Sequence, residues 1–208
     1  MRNLIKIFLV LFLALMSNFV VKTASASVSA SASASDSASD SASDSASEKN
    51  IPASLQNIIK DPVLIGSSKL KFFGLKVYDI FLWSEDANFS YNKTFAIQIK
   101  YNMNFSREDL VKRSLSEIKS LHKISSGEEA SYIKQLTEIF NSVKKGDEKI
   151  AIFVPSKGVL MFHNNELTGK ISNLKFARLF VDIWLDENGS YPKITKKLLG
   201  LRSLPAKS

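Results

Sequence analysis

The residues best placed to do chemistry are polar-tipped side chains set into apolar surroundings: Tyr78, Asp79 and Tyr101. A phenol on an apolar surface offers a hydroxyl that donates and accepts hydrogen bonds beside a greasy wall. A cleft next to these groups would hold an apolar molecule with one polar end. Taken singly, each also reads as a core tyrosine with a satisfied hydroxyl or as a solvated carboxylate. The two histidines, His122 and His163, stand apart in the sequence and read as structural. His122 falls at a helix end, where a positive ring suits the dipole, and His163 falls at a strand end beside a turn. No Gly-rich phosphate loop, paired-His motif or nucleophile elbow is present, so no metal or cofactor is implied. The absence of Cys removes thiol nucleophiles, disulfides and cysteine-ligated zinc.

The elements that must position these residues follow from periodicity. Gly66 to Trp83 is dense in aromatic and β-branched residues and is apolar on both faces, broken by Lys76 and Asp79. It reads as a central strand covered on both sides, with a turn or bulge at Gly74. Phe95 to Tyr101 alternates cleanly and reads as a half-buried strand. Ser106 and Asp109 open one amphipathic helix carrying Val111, Leu115 and Ile118. Ser126-Gly127-Glu128-Glu129 opens a second, with the stripe Ile133, Leu136, Phe140 and Val143, and Gly146 ends it after Lys144-Lys145. Lys149–Val154 and Gly158–Phe162 predict a hairpin, followed by a short strand over Leu167–Ile171. A third helix capped by Ser172 or Asn173 carries Phe176, Leu179, Phe180, Ile183 and Trp184, and a last one runs from Pro192 to Leu199. Strands, two helices, a hairpin and further helices predict an α+β fold: an antiparallel sheet with helices on one face.

Upstream of this lies a different kind of chain. Residues 1–26 have the three parts of a secretory signal: Arg2 and Lys6, the apolar run Ile7 to Met16, and Ala24-Ser25-Ala26 before the expected cut. The expectation is export to the periplasm or beyond; an uncleaved N-terminal membrane anchor is the alternative. Residues 27–50 form a Ser/Ala/Asp repeat with Asp36, Asp40, Asp44 and Glu48 in one slot, too poor in apolar bulk to fold. Residues 51–208 are the expected folded domain. The 208-residue chain carries a formal net charge of +8, and four of its 20 acids sit in the repeat, so the folded part is distinctly basic. Scattered lysines without interleaved aromatics exclude a nucleic-acid patch and leave membrane-surface contact through basic charge as an expectation. The sequence names no protein partner.

Gly66 to Leu70, Lys76-Val77-Tyr78-Asp79-Ile80 and Leu82-Trp83 resemble the entry strands of the chalcone-isomerase-like proteins. Lys144-Lys145-Gly146-Asp147, Val154-Pro155-Ser156-Lys157-Gly158-Val159, Asn164-Asn165 with Gly169, Phe176-Ala177 with Ile183-Trp184-Leu185, and Leu198-Leu199-Gly200 are similar to later segments of that family, in the same order. The resemblance implies an open-faced β-sandwich, a large antiparallel sheet covered by a layer of helices, with a cleft between the layers. In the plant isomerases an arginine and a threonine on the entry strands, with a tyrosine and an asparagine from the helical side, assist ring closure of a polyphenol. Here the arginine's region reads Ser68-Lys69-Leu70 and the threonine's place is Tyr78, so the catalytic set is not carried over. A lysine supplies charge without the planar two-point grip of a guanidinium.

Two classes of function follow from the resemblance, with a third beside them. One is a non-catalytic exported module holding a fatty acid or another apolar small molecule, with Lys69, Tyr78 and Tyr101 as its binding residues. Another is an isomerase (an intramolecular lyase) with Tyr78 as acid and Lys69 or Lys71 as the anion-holding group. The third is a partner-binding envelope protein.

Overall fold

The computed structural model describes residues 51–201; the signal-like segment and the acidic repeat lie outside them. Six antiparallel strands form one sheet in sequence order: β1 (Val63–Phe72), β2 (Leu75–Ser84), β3 (Phe95–Tyr101), β4 (Glu148–Val154), β5 (Gly158–His163) and β6 (Glu166–Ile171). A short helix, α1 (Ala53–Gln56), precedes the sheet. Helices α2 (Arg107–Leu121) and α3 (Ser126–Ile139) lie between β3 and β4, and α4 (Leu174–Leu185) and α5 (Pro192–Leu198) follow β6. This is the antiparallel sheet with a helical layer that the order of periodic segments predicts.

The stretch read as one central strand is instead a hairpin. Phe73 and Gly74 both have positive φ, 46° and 79°, and reverse the chain between β1 and β2. β1 is therefore an edge strand and β2 its inner neighbour. The expectation of cover on both faces holds for β2. Ile80 and Leu82 join Phe95, Ile97 and the helices in the main core. Trp83, on the other face, packs with Ala96, Ile150, Ile152 and with Leu55 and Ile59 from the segment at α1. On that second face the Trp83 indole donates to Gln98 Oε1 at 2.8 Å, so burial leaves the ring nitrogen satisfied.

Local chemistry sets the helix ends. Ser106 and Asp109 form a reciprocal capping box, and Ser125 with Glu128 forms another, one residue earlier than expected. The second helix also stops sooner than the sequence suggests, at Ile139 rather than at Gly146. Beyond it Val143 exchanges two 2.9 Å backbone hydrogen bonds with Phe105, which holds the chain extended. The buried stripe of α3 is Tyr132, Leu136 and Ile139, and Ile133 is 39% exposed. The shift has two anchors: Tyr132 stacks on Phe176 with ring centroids 3.9 Å apart, and Ile139 fills the space a side chain at Gly169 would need. Asn173 caps α4 through its side-chain oxygen. Phe176 and Phe180 of that helix are fully buried, each contributing about 1.5–3 kcal/mol by removal from water.

α5 lies against β1. A Cβ on Gly66 would stand 2.1 Å from the Lys197 carbonyl oxygen and 2.5 Å from that of Leu198, so only a glycine lets the two backbones meet. Gly66→Ala is expected to push α5 off β1 and lower stability by about 1–3 kcal/mol, read as a drop in the thermal midpoint. An unchanged midpoint would show that α5 yields freely.

Candidate functional site

Along α2, Arg113 and Glu117 are four residues apart and share a face. That face is turned away from the apolar stripe of Val111, Leu115 and Ile118. It is covered by the loop between α4 and α5, through Ser190 and Tyr191. Glu117 is consequently only 4% exposed. Its carboxylate pairs with the Arg113 guanidinium and accepts from the Ser190 hydroxyl at 2.6 Å. Arg113 Nη2 also donates to the Tyr191 hydroxyl at 3.0 Å, and its guanidinium carbon lies 5.9 Å from the Tyr191 ring centroid. A buried carboxylate of this kind is tolerable only when paired and hydrogen-bonded, and here it is both.

The sheet contributes Tyr78. It stands opposite Leu70 on β1 and Tyr101 on β3, on the face that packs against the helices. Its hydroxyl lies near the Trp184 indole of α4 and in the electrostatic range of Tyr191, Arg113 and Glu117. The Tyr78 and Tyr101 rings meet edge to face at 6.3 Å. Burial pushes both phenols well above the ordinary tyrosine value. Tyr191 is pushed up to about 12, by burial first, opposed by the Arg113 charge. All three hydroxyls therefore keep their protons at neutral pH. Two members of this network, Ser190 and Tyr191, line a surface depression of about 270 Å³ together with Pro192, Lys193 and Ile194.

The lysines expected beside Tyr78 are not there. Lys69 pairs across the hairpin with Asp79, and alternation puts both on the opposite face of the sheet from Tyr78. On that face Asp79 is met by Lys76 at 2.8 Å and by the Asn102 amide at 3.1 Å. Lys71 lies in the last turn of the hairpin, exposed. Of the expected ligand residues, the structure brings together Tyr78 and Tyr101 and separates Lys69 from them. The cation near Tyr78 comes from the helical layer, as Arg113. Sequence periodicity passes over Arg113, Glu117 and Tyr191, because they lie off the apolar stripe and a loop covers them. The one usable signal was the Arg113/Glu117 spacing on a predicted helix.

Two other buried polar groupings complete the helix–sheet interface. Asp182 of α4 accepts from the Tyr91 hydroxyl at 2.7 Å and from Arg178 Nε at 2.9 Å, and His122 Nε2 lies 3.7 Å from it. These contacts join α4 to the end of α2 and to the β2–β3 loop. At the other end of the sheet, Lys149 is 4% exposed and opposite His163. Its Nζ finds no hydrogen-bond partner and lies 5.3 Å from the Phe140 ring centroid. His163 Nε2 is 3.3 Å from Asp147. Among the described residues no group of His, Cys, Asp and Glu side chains is arranged to hold a metal ion, and no helix is long and apolar enough to cross a membrane.

The fold and site together define an α+β open-faced sandwich whose helical layer closes over a polar spot at one corner of an antiparallel sheet. Residues 47–200 match the chalcone isomerase-like family, and the chain belongs to it. An uncharacterized protein of Haemophilus influenzae is 26% identical over 137 residues, 65% of this chain and 67% of that protein. The crystal structure of a fatty-acid binding protein of Arabidopsis thaliana shares the fold, with a TM-score of 0.53 and 10% sequence identity over 69% of this chain and 89% of that one.

Lys149 generates a prediction about pH. Burial lowers its pKa from 10.5 to about 8, partly offset by Asp147 and reinforced by Arg107. Between those values the unfolded chain binds more protons than the folded one, so stability from this group rises with pH across the window. Below about pH 8 the folded protein bears the full cost of the buried charge. Lys149→Met is therefore expected to raise stability at neutral pH, by up to about 3 kcal/mol, with the advantage shrinking toward pH 10. Paired thermal melts at both pH values check this; a constant or reversed difference contradicts it.

Proposed function

We propose that this protein binds an apolar small molecule of the fatty-acid type, with the polar end of the ligand at the Arg113–Tyr191–Tyr78 corner. The observation that carries the reading is that Tyr191, which lines the surface depression, is hydrogen-bonded to the Arg113 guanidinium and lies in the electrostatic range of the buried Tyr78 phenol on the sheet. The fold it shares with a plant fatty-acid binding protein supports the same ligand class. At about 270 Å³ the depression falls just short of the roughly 300–1,000 Å³ of small-molecule sites. It accommodates a headgroup, and a long chain enters by parting α5 from the sheet. Export, suggested by the signal-like residues 1–26, belongs to the same proposal: a carrier of an apolar molecule working outside the cytoplasm.

Proton transfer is the weaker use of this corner. A general acid or base works best with a pKa near the working pH, and burial drives Tyr78 the other way. Its hydroxyl serves as a fixed hydrogen-bond donor rather than as an acid. Lys69, the other group an isomerase would need, is on the far face of the sheet.

Binding of cis-parinaric acid, followed by its fluorescence, tests the reading. Wild-type protein is expected to bind it saturably. Tyr78→Phe should weaken binding by up to about tenfold, the worth of a hydrogen bond. Arg113→Lys keeps a cation for Glu117 but loses the planar fork, and should weaken binding about tenfold as well. Absence of saturable binding, or binding indifferent to both substitutions in folded protein, would overturn the proposal.

A further inference from the structure

The β1–β2 hairpin ends in a feature that folding alone does not explain. Its two turn residues are Phe73 and Gly74, both with positive φ. Two-residue turns of this kind favour Asn-Gly or Asp-Gly, because Asn and Asp tolerate the left-handed region and a bulky aromatic does not. Phe73 accepts that strain and gains little burial in return, for it is 78% exposed. Its ring meets Phe72 edge to face at 4.6 Å, and Leu75 next to it is 54% exposed. Lys69 and Lys71 are exposed on the same hairpin, and Lys76, also exposed, is held by Asp79 at 2.8 Å. No acid occurs from Pro62 to Tyr78. An apolar point ringed by cations matches a bilayer with anionic headgroups: the aromatic enters the interface and the lysines meet the phosphates.

We propose that the β1–β2 hairpin tip docks the protein on an anionic lipid surface, with Phe73 and Leu75 inserted and Lys69 and Lys71 contacting the headgroups. This stands on the hairpin alone and does not depend on the ligand reading above. It gives the strained turn a use. The basic charge favours anionic lipid over a second copy of the chain, which would bring like charges together.

The test is flotation of the protein with vesicles of phosphatidylglycerol and phosphatidylcholine, against phosphatidylcholine alone, at low and high salt. The variants are Phe73→Asn and the double variant Lys69→Glu/Lys71→Glu. Each is compared with wild type, all in the form from which the host has removed the signal-like residues 1–26. Phe73→Asn puts the preferred residue into the turn, so its thermal midpoint should equal or exceed that of wild type while lipid binding falls about tenfold. The double variant should lose binding to anionic vesicles, and wild-type binding should weaken in high salt. Wild-type-like flotation of Phe73→Asn overturns the proposal. So does equal binding to both vesicle types. Loss of a concentration-dependent dimer on Phe73→Asn, without loss of lipid binding, would assign the tip to a second copy instead.

Discussion

A buried carboxylate holds the helical layer together at one corner of the sheet. Glu117 is buried on the flank of α2, and its charge is stabilised by Arg113 and by the Ser190 hydroxyl. Satisfying it pins the loop before α5 onto α2. Arg113, so fixed, reaches Tyr191 and influences Tyr78 on the sheet. One ion pair thus joins α2, the α4–α5 loop, the start of α5 and, through its field, strand β2. Only the Glu117 side of the pair is buried, the Arg113 side chain being 36% exposed, so losing Arg113 would leave the carboxylate to the Ser190 hydroxyl.

The chemistry at this corner differs from what a lysine on the entry strand would have supplied. Arg113 approaches from the helices with a planar fork whose position is already set by Glu117 and Tyr191. The phenols around it are raised in pKa by burial and keep their protons. Donors held in place and protonated are suited to gripping a polar end. They are poorly suited to moving protons at neutral pH. The entry strand's own lysines face the other side of the sheet or solvent, away from this corner.

Much of the architecture was legible in the sequence because it rests on local signals. The Ser106/Asp109 box, the Pro155-Ser156-Lys157 connection and the stripe of α4 all describe interactions between near neighbours. Alternation located the strand Phe95–Tyr101 but not its cover: expected half-buried, it is buried on both faces, Ala96 and Gln98 included, because the segment at α1 packs on the second face. In the Gly66–Trp83 stretch the expected turn or bulge at Gly74 is present, but it reverses the chain fully at Phe73-Gly74 and makes a hairpin of what read as one central strand. The reversal was hidden because Phe73 is a residue ill-suited to a tight turn. The overlong second helix failed because its end is set by pairing with Phe105, distant in sequence. At the site, Tyr78 and Tyr101 were visible as polar tips in apolar strands. Arg113, Glu117 and Tyr191 were not, since their burial depends on a loop folding back from the far end of the chain. Lys69 was named from the family resemblance without a face; pairing with Asp79 puts it across the sheet from Tyr78.

The most direct test of this account is a crystal structure with a long-chain fatty acid bound. The carboxylate should lie within hydrogen-bonding distance of Arg113, Tyr191 or Tyr78, and the chain should run between the sheet and α5. A fatty acid lodged elsewhere, or one whose carboxylate turns to solvent while this corner keeps its closed network, would contradict it.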